Sequence, residues 1–398
     1  MATIETSNEF KGFSLVKGGL VYHLFRRALL CNEDLEPPFR RAFVVASIIW
    51  LPLLLLTVLG GRFNGGVDIP FLTDVENHVR LLVALPMLVA GETFIQRLLS
   101  PRIRNFLTRN IIRDADIPKF QAAVDSAHRM RDSVTVELVI LISVLAAGAW
   151  FYGSLLASAS TQSPTWYATP DGERWNLSLA GYWLVFVSLP VFQFFLVRWY
   201  FRIFIWFLFM LRVSRLDLNL YATHTDRAGG IGFLNKCAYS FGLGLLAQGA
   251  LLSGYIAGQV MHFGGDPQAY KLEAAGLLVV VLTSVLLPLA LFAPKLTGAK
   301  WDGGGAFATL SSRYVEEFDD KWIRGRKTTH DRLLGSVDIQ SLADLGNSAG
   351  NIDQMKTLPF SLTDVFYLAA VTFAPLIPLL LFVFSLEELI DRLLKILI

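Results

Sequence analysis

The chain has 398 residues, 54% of them hydrophobic, with a mean hydropathy of +0.49 and a net charge of +2. An ordinary soluble enzyme carries more charge and fewer apolar side chains, so composition excludes one. Two cysteines, Cys31 and Cys237, are too few for a disulfide framework or a metal cluster.

In chain order, Met1–Gly12 is polar and does not read as a cleavable signal. Phe13–Cys31 is apolar but interrupted by Lys17, Gly18, Gly19, His23, Arg26 and Arg27, which predicts a helix lying in a membrane interface. Pro37-Pro38 breaks the chain. Seven strongly apolar stretches follow: Ala42–Leu59, Leu81–Gln96, Val134–Ala157, Leu177–Val197, Tyr239–Met261, Ala274–Phe292 and Val365–Phe384. About 20 apolar residues at 1.5 Å rise cross a hydrocarbon core of roughly 30 Å. The expected fold is therefore all-α: a polytopic transmembrane helical bundle of about seven spans.

Charge sets the orientation. The segments before span 1 and between spans 2 and 3, 4 and 5, and 6 and 7 hold 29 of the 35 Lys and Arg residues. The three intervening loops hold only Arg62, Arg80, Arg174 and Lys271. The positive-inside rule then predicts a cytosolic amino terminus. The chain divides into residues 1–41, a cytosolic and interfacial helix, and 42–293, spans 1–6 with cytosolic loops 97–133 and 212–238. Residues 294–363 form a cytosolic region, and 364–398 hold span 7 and a terminal helix. Both cysteines fall on the cytosolic side. The basic loops suit anionic lipid, so the lipid bilayer is the expected partner and no nucleic acid is needed.

Several local features are predicted. Asp116 and Pro118 start a helix, and only Gly148 and Gly153 interrupt Lys119–Leu156, so span 3 should run on as one long helix. Span 4 should do the same, since Pro190 alone breaks the run between Gly181 and Asn219. Trp150, Tyr152, Trp166, Tyr167, Trp175, Tyr182 and Trp183 suggest an aromatic belt around the external face. Asp302-Gly303-Gly304-Gly305 reads as a flexible turn before a helix over Thr309–Trp322. Near the end, Ser385 and Glu388 form a capping box. Leu386, Leu389, Ile390, Leu393, Leu394 and Leu397 then make one apolar stripe, giving an interfacial amphipathic helix at this end as well.

Ionisable groups within spans are functional suspects, because they are costly to bury in lipid. Glu92 in span 2 is the clearest, flanked by Gly91 and Thr93. Arg198 and Arg202 share one face of helix 4. With span 4 at Leu177–Val197 they snorkel at the cytosolic boundary, which is the preferred reading. With the span shifted inward, Arg198 reaches the depth of Glu92 and can pair with it. Span 5 carries Gly242, Gly244, Gly249, Gly254 and Gly258, a small-residue packing surface, with Gln248 hydrogen-bonding across the contact or lining a path. Those glycines or the terminal helix could also build a homo-oligomer. On the cytosolic side, His224, Asp226, Arg227, Gly229 and Gly230 form a loop that could cradle an anion, unless Asp226 simply caps the next helix. His330, Asp331 and Arg332 repeat its residue types, and the two clusters are expected to meet. No metal site or cofactor is expected, since no ligand set has characteristic spacing.

His224-Thr-Asp226-Arg-Ala-Gly-Gly230, Asp338-Ile-Gln-Ser-Leu-Ala-Asp344 and the ending Pro378–Leu394, with Glu387, Glu388 and Arg392, give the chain a resemblance. It resembles a family of uncharacterised bacterial multi-pass inner-membrane proteins with no established function. The resemblance covers the second half of the chain and implies a bacterial inner-membrane location. The residues point first to a channel or transporter for an ion or small solute. A membrane scaffold or assembly factor comes second, and a membrane-embedded enzyme using the His224 loop third. No complete catalytic signature supports the last.

Overall fold

The structure, a computed structural model, describes residues 12–32, 37–157, 163–171, 174–325 and 335–379, and the side chains of all these except 149–157, 171 and 174. About three quarters of it, 77%, is helix, and almost none is strand. The first helices are α1 (Gly19–Arg27), α2 (Pro38–Leu59), α3 (Val75–Thr108), α4 (Ile117–Arg131), α5 (Val134–Ala157) and α6 (Leu179–Ser214). Then come α7 (Gly232–Phe263), α8 (Pro267–Ala290), α9 (Ala293–Phe318), α10 (Val337–Asp353) and α11 (Leu362–Leu379). One antiparallel hairpin, β1 (Ala168–Asp171) with β2 (Arg174–Leu177), pairs Thr169 with Asn176.

Six helices, α2, α3, α6, α7, α8 and α11, are long and apolar enough to cross a membrane, and α5 adds an apolar stretch over Val134–Gly148. The fold is that of an integral membrane protein. More than half of each apolar window of α3, α6 and α7 is buried, against about a quarter for α2, α8 and α11. The first three are thus the centre of the bundle and the others its wall. The wall turns Leu55, Ile142, Val280 and Phe366 outward, as suits a lipid solvent.

Both central helices that carry the suspect charges are built alike. Each contains a π-helical turn, Val79–Ala84 in α3 and Leu184–Ser188 in α6, followed at once by Leu85-Pro86 and Leu189-Pro190. A proline lacks the amide proton and its ring clashes with the carbonyl four residues back, so the preceding turn widens. Helix α7 packs through its glycines. A Cβ on Gly244 would lie 2.0 Å from the Trp199 ring, and one on Gly254 would lie 2.9 Å from Val79. A Cβ on Gly249 would lie 1.8 Å from the Thr372 carbonyl oxygen. Gly244, Gly249 and Gly254 are thus packed within the chain.

Beyond the apolar layer, at the end carrying the basic segments, an aromatic core joins α3, α4, α6 and α7. Phe13 stacks on Phe209 at 4.4 Å, Phe106 meets Phe233 at 5.2 Å, and Trp206 meets Phe241 at 6.4 Å. Phe13, Leu15 and Val16 are fully buried here. The segment expected to lie wholly in the interface therefore docks its leading residues into the bundle.

Three local expectations are corrected. Span 3 and the preceding basic helix are two helices, because Asp132 ends α4 and Ser133 accepts the Val136 N–H to begin α5. Asp302–Gly305 is no turn: α9 runs unbroken through it, since Gly303 and Gly304 let Ala222 and Ile352 pack against the helix. Trp166 does not belong to a lipid-facing belt. It is fully buried, and its indole N–H donates to Asp74 at 2.8 Å. The long helix at span 4 is as expected, at 36 residues. The Ser385 capping box and the terminal amphipathic helix lie outside the described residues. The structure adds a capping box the sequence reading passed over, Ser361 with Asp364 at the start of α11.

Candidate functional site

Glu92 lies 17 residues into α3, about 26 Å along it, and Arg198 19 residues into α6, about 28 Å along it. Arg41 and Glu137 sit in the first turns of α2 and α5, which run the opposite way. All four helices bring these side chains to one level, near the basic end of the apolar layer. There Arg202 Nη1 lies 2.7 Å from Glu92 Oε1, Arg198 Nη1 2.9 Å from the same oxygen, and Arg41 Nη1 3.5 Å from Oε2. Arg198 Nε also reaches Glu137 Oε1 at 3.2 Å. Glu137 Oε2 accepts the backbone N–H of Leu20 at 2.5 Å, tying α1 to the cluster. Arg41 donates to Thr93 Oγ1 at 2.8 Å and to the Val89 carbonyl at 3.1 Å, while its guanidinium lies over the Phe25 ring.

Arg41, Glu92, Glu137, Arg198 and Arg202 are all at least 95% buried. The snorkelling reading of the arginines is therefore corrected: both turn inward and pair with Glu92, as the alternative reading had it for Arg198. Sequence reasoning missed Arg41 and Glu137. Glu137 carried a signal, as the only charged residue in Val134–Ala157. Arg41 carried none that separates it from its exposed neighbour Arg40.

The cluster is unbalanced. Three guanidiniums face two carboxylates, which leaves one positive charge uncompensated among the described residues. Its donors are also in excess: Arg41 Nε and Nη1 and Arg202 Nη2 are buried without a hydrogen-bond partner. Gln248 is buried on α7, one turn from Gly244 on the face that meets α6, and its Nε2 is unpartnered as well. The predicted hydrogen bond across the packing contact is absent at Nε2.

At the opposite end of the bundle, a cleft of about 520 Å³ is lined by Asp74, Glu76, Asn77, Arg80, Gln259 and His262. Asp74 accepts from Asn77 and Trp166, Arg80 donates to Asn77 at 2.7 Å, and His262 bonds the Thr73 carbonyl at 2.9 Å. Arg80 lies over Phe192 of α6. The cleft is thus carried by α3 and α7 together, the helices that continue toward Glu92 and Gln248.

The His224 loop is a nest filled by its own carboxylate. Asp226 accepts the N–H groups of Ala228, Gly230 and Gly232 at 2.8, 3.1 and 2.9 Å. Arg227, Gly229 and Gly230 take positive φ to turn those groups inward. Burial pushes the Asp226 carboxyl up, but the three backbone bonds outweigh it and hold it below the usual range. The anion the loop cradles is Asp226 itself, and its bond to Gly232 also takes the first N–H of α7. His224 Nδ1 lies 2.8 Å from Asp226, and the Arg227 carbonyl accepts from Lys356. His330, Asp331 and Arg332 lie outside the described residues. No group of metal ligands occurs among the described residues.

The other motif residues are structural ties. Asp338 accepts from Lys321 Nζ at 2.8 Å and Trp322 Nε1 at 3.0 Å, fastening α10 to the end of α9. Asp116 heads α4 but makes no side-chain cap; it accepts from the Asp217 backbone and Lys119 instead.

Compared with known protein families, with curated proteins and with solved structures, the chain matches none. The functional reading therefore rests on geometry.

Proposed function

We propose that the chain is a channel or transporter for an ion or small solute, with the Glu92–arginine cluster as its gate. The observation that carries this reading is a charged cluster fully buried where four helices converge. Burying each ion costs several kcal/mol, and apolar side chains of similar volume are often as stable. Such a cluster is retained for what its charges do. Polar groups lead to it from the far end: the Asp74–His262 cleft, then Gln248, then Glu92. The proline-widened turns of α3 and α6 lie along that line, where displaced backbone bonds ease bending.

We assign the amino terminus to the cytosol from the distribution of basic residues, which makes the cleft external and the gate cytosolic. The family resemblance points to a bacterial inner membrane. The test is ion flux into liposomes containing the purified protein. Wild type should pass an ion slowly, and Glu92→Gln, which removes the contacts closing the gate, should pass it several-fold faster. Absence of flux from both proteins, for cations and anions alike, would overturn the reading.

A scaffold reading has one observation in its favour: Trp301, Ile323 and Val337 are largely exposed on and beside α9 and α10, outside the apolar layer. A partner protein would cover them.

A further inference from the structure

Three of the unpartnered buried nitrogen donors lie on α6, and they share one face. Trp199 Nε1, Arg202 Nη2 and Trp206 Nε1 have no hydrogen-bond partner, and their spacing of three and four residues stacks them along the helix. Trp199 lies against Gly244 of α7, and Trp206 lies beside Phe241 of α7. The stripe therefore faces the α6–α7 seam. Gln248 Nε2 adds a fourth donor from the α7 side, and Arg41 Nε and Nη1 add two more at the cluster. An unmet buried donor costs about 1–3 kcal/mol, and natural proteins leave few of them. The Arg41 and Arg202 donors belong to the cluster that holds one uncompensated positive charge, and Trp199 and Trp206 flank Arg202 by one turn on either side.

Donors without acceptors and a cation without its partner call for the same ligand. We propose that the α6–α7 seam binds a small inorganic anion, such as a halide or nitrate, at Arg202 Nη2. The indole N–H groups of Trp199 and Trp206 complete its coordination. Glu92 is then a tethered anion that occupies the neighbouring place among the three arginines. The inference names the substrate class of the proposed gate and rests on that reading for its role. Binding itself can be measured without any flux. Enclosure favours a small ion over a lipid phosphate, since Arg202 is 4% exposed and Arg41 fully buried.

The test is the melting temperature of the purified, delipidated protein in detergent, with gluconate replaced by chloride or nitrate at constant ionic strength. Wild type should gain stability saturably. Trp206→Phe keeps the ring and removes the N–H, and should weaken the apparent affinity several-fold; Arg202→Leu should abolish it. Glu92→Gln raises the uncompensated charge from one to two and should bind the anion at least tenfold more tightly. Equal responses in all four proteins, or stabilisation only by added phosphatidylglycerol, would overturn the proposal. Saturable binding in a protein that gives no flux would keep the site and remove the transport reading instead.

Discussion

Arg202 and Glu92 meet at 2.7 Å in the interior of the bundle, and Glu92 is the only carboxylate that Arg202 contacts among the described residues. Arg198 differs, because its Nε also holds Glu137 at 3.2 Å. The two arginines, one helical turn apart, should therefore respond differently when Glu92 is removed. Glu92→Gln strands Arg202 fully and Arg198 only in part, at a cost of about 3–5 kcal/mol. Adding Arg202→Leu should recover more of that loss than adding Arg198→Leu. Chemical denaturation of the two double variants measures it, and equal recovery would contradict the contact pattern.

Gly249 offers a test of the wall. Its Cα faces the Thr372 carbonyl so closely that Gly249→Ala must push α11 away from α7. Overpacking of this kind costs on the order of 1–3 kcal/mol. Gly276→Ala in α8, where nothing lies within 4 Å of the added methyl, should be neutral or stabilising by up to about 1 kcal/mol. Melting temperatures in one detergent separate the two.

The Asp226 nest predicts a pH dependence. Its carboxyl is held below the ordinary value of 3.8, so the folded loop binds the proton less well than the unfolded chain does. The stabilisation is present above pH 3.8 and is lost as pH falls through the lowered value. Hydrogen exchange at Ala228, Gly230 and Gly232 should stay slow at pH 5 and quicken in strong acid. In Asp226→Ala the same amides should exchange fast at both.

Orientation can be checked with single cysteines in a chain lacking Cys31 and Cys237. Gln268→Cys and Ser312→Cys are exposed at opposite ends of the bundle. A membrane-impermeant thiol reagent should reach only the first in intact cells. Labelling of Ser312→Cys alone would invert the assignment.

The spans were legible because lipid enforces a simple pattern, about 20 apolar residues with polar ends. The long α6 was legible for a related reason, since only Pro190 interrupts its sequence, and that proline widens a turn without ending the helix. The break at Asp132–Ser133 was not, because a cap formed by one serine inside a helical pattern looks like any surface serine. Gly303 and Gly304 misled in the other direction: glycine reads as a turn unless the neighbour that needs the space, here Ala222, is known. At the site, Glu92 stood out by its apolar surroundings. The arginines were given the wrong direction, because an arginine near a span's end can point to water or inward. Only the position of the acid on another helix decides between them.

Phe13 has a consequence for how the chain is made. It stacks on Phe209, so its resting place is not built until nearly the whole of α6 has been synthesised. At typical translation rates of about 5–20 residues per second, that leaves roughly 10–40 s during which Phe13, Leu15 and Val16 have no pocket. The early segment must wait outside the bundle, sheltered by lipid or a chaperone, and dock only after the later helices arrive. A stall in translation before Trp206 would leave that apolar segment exposed, a signal that quality-control machinery could read.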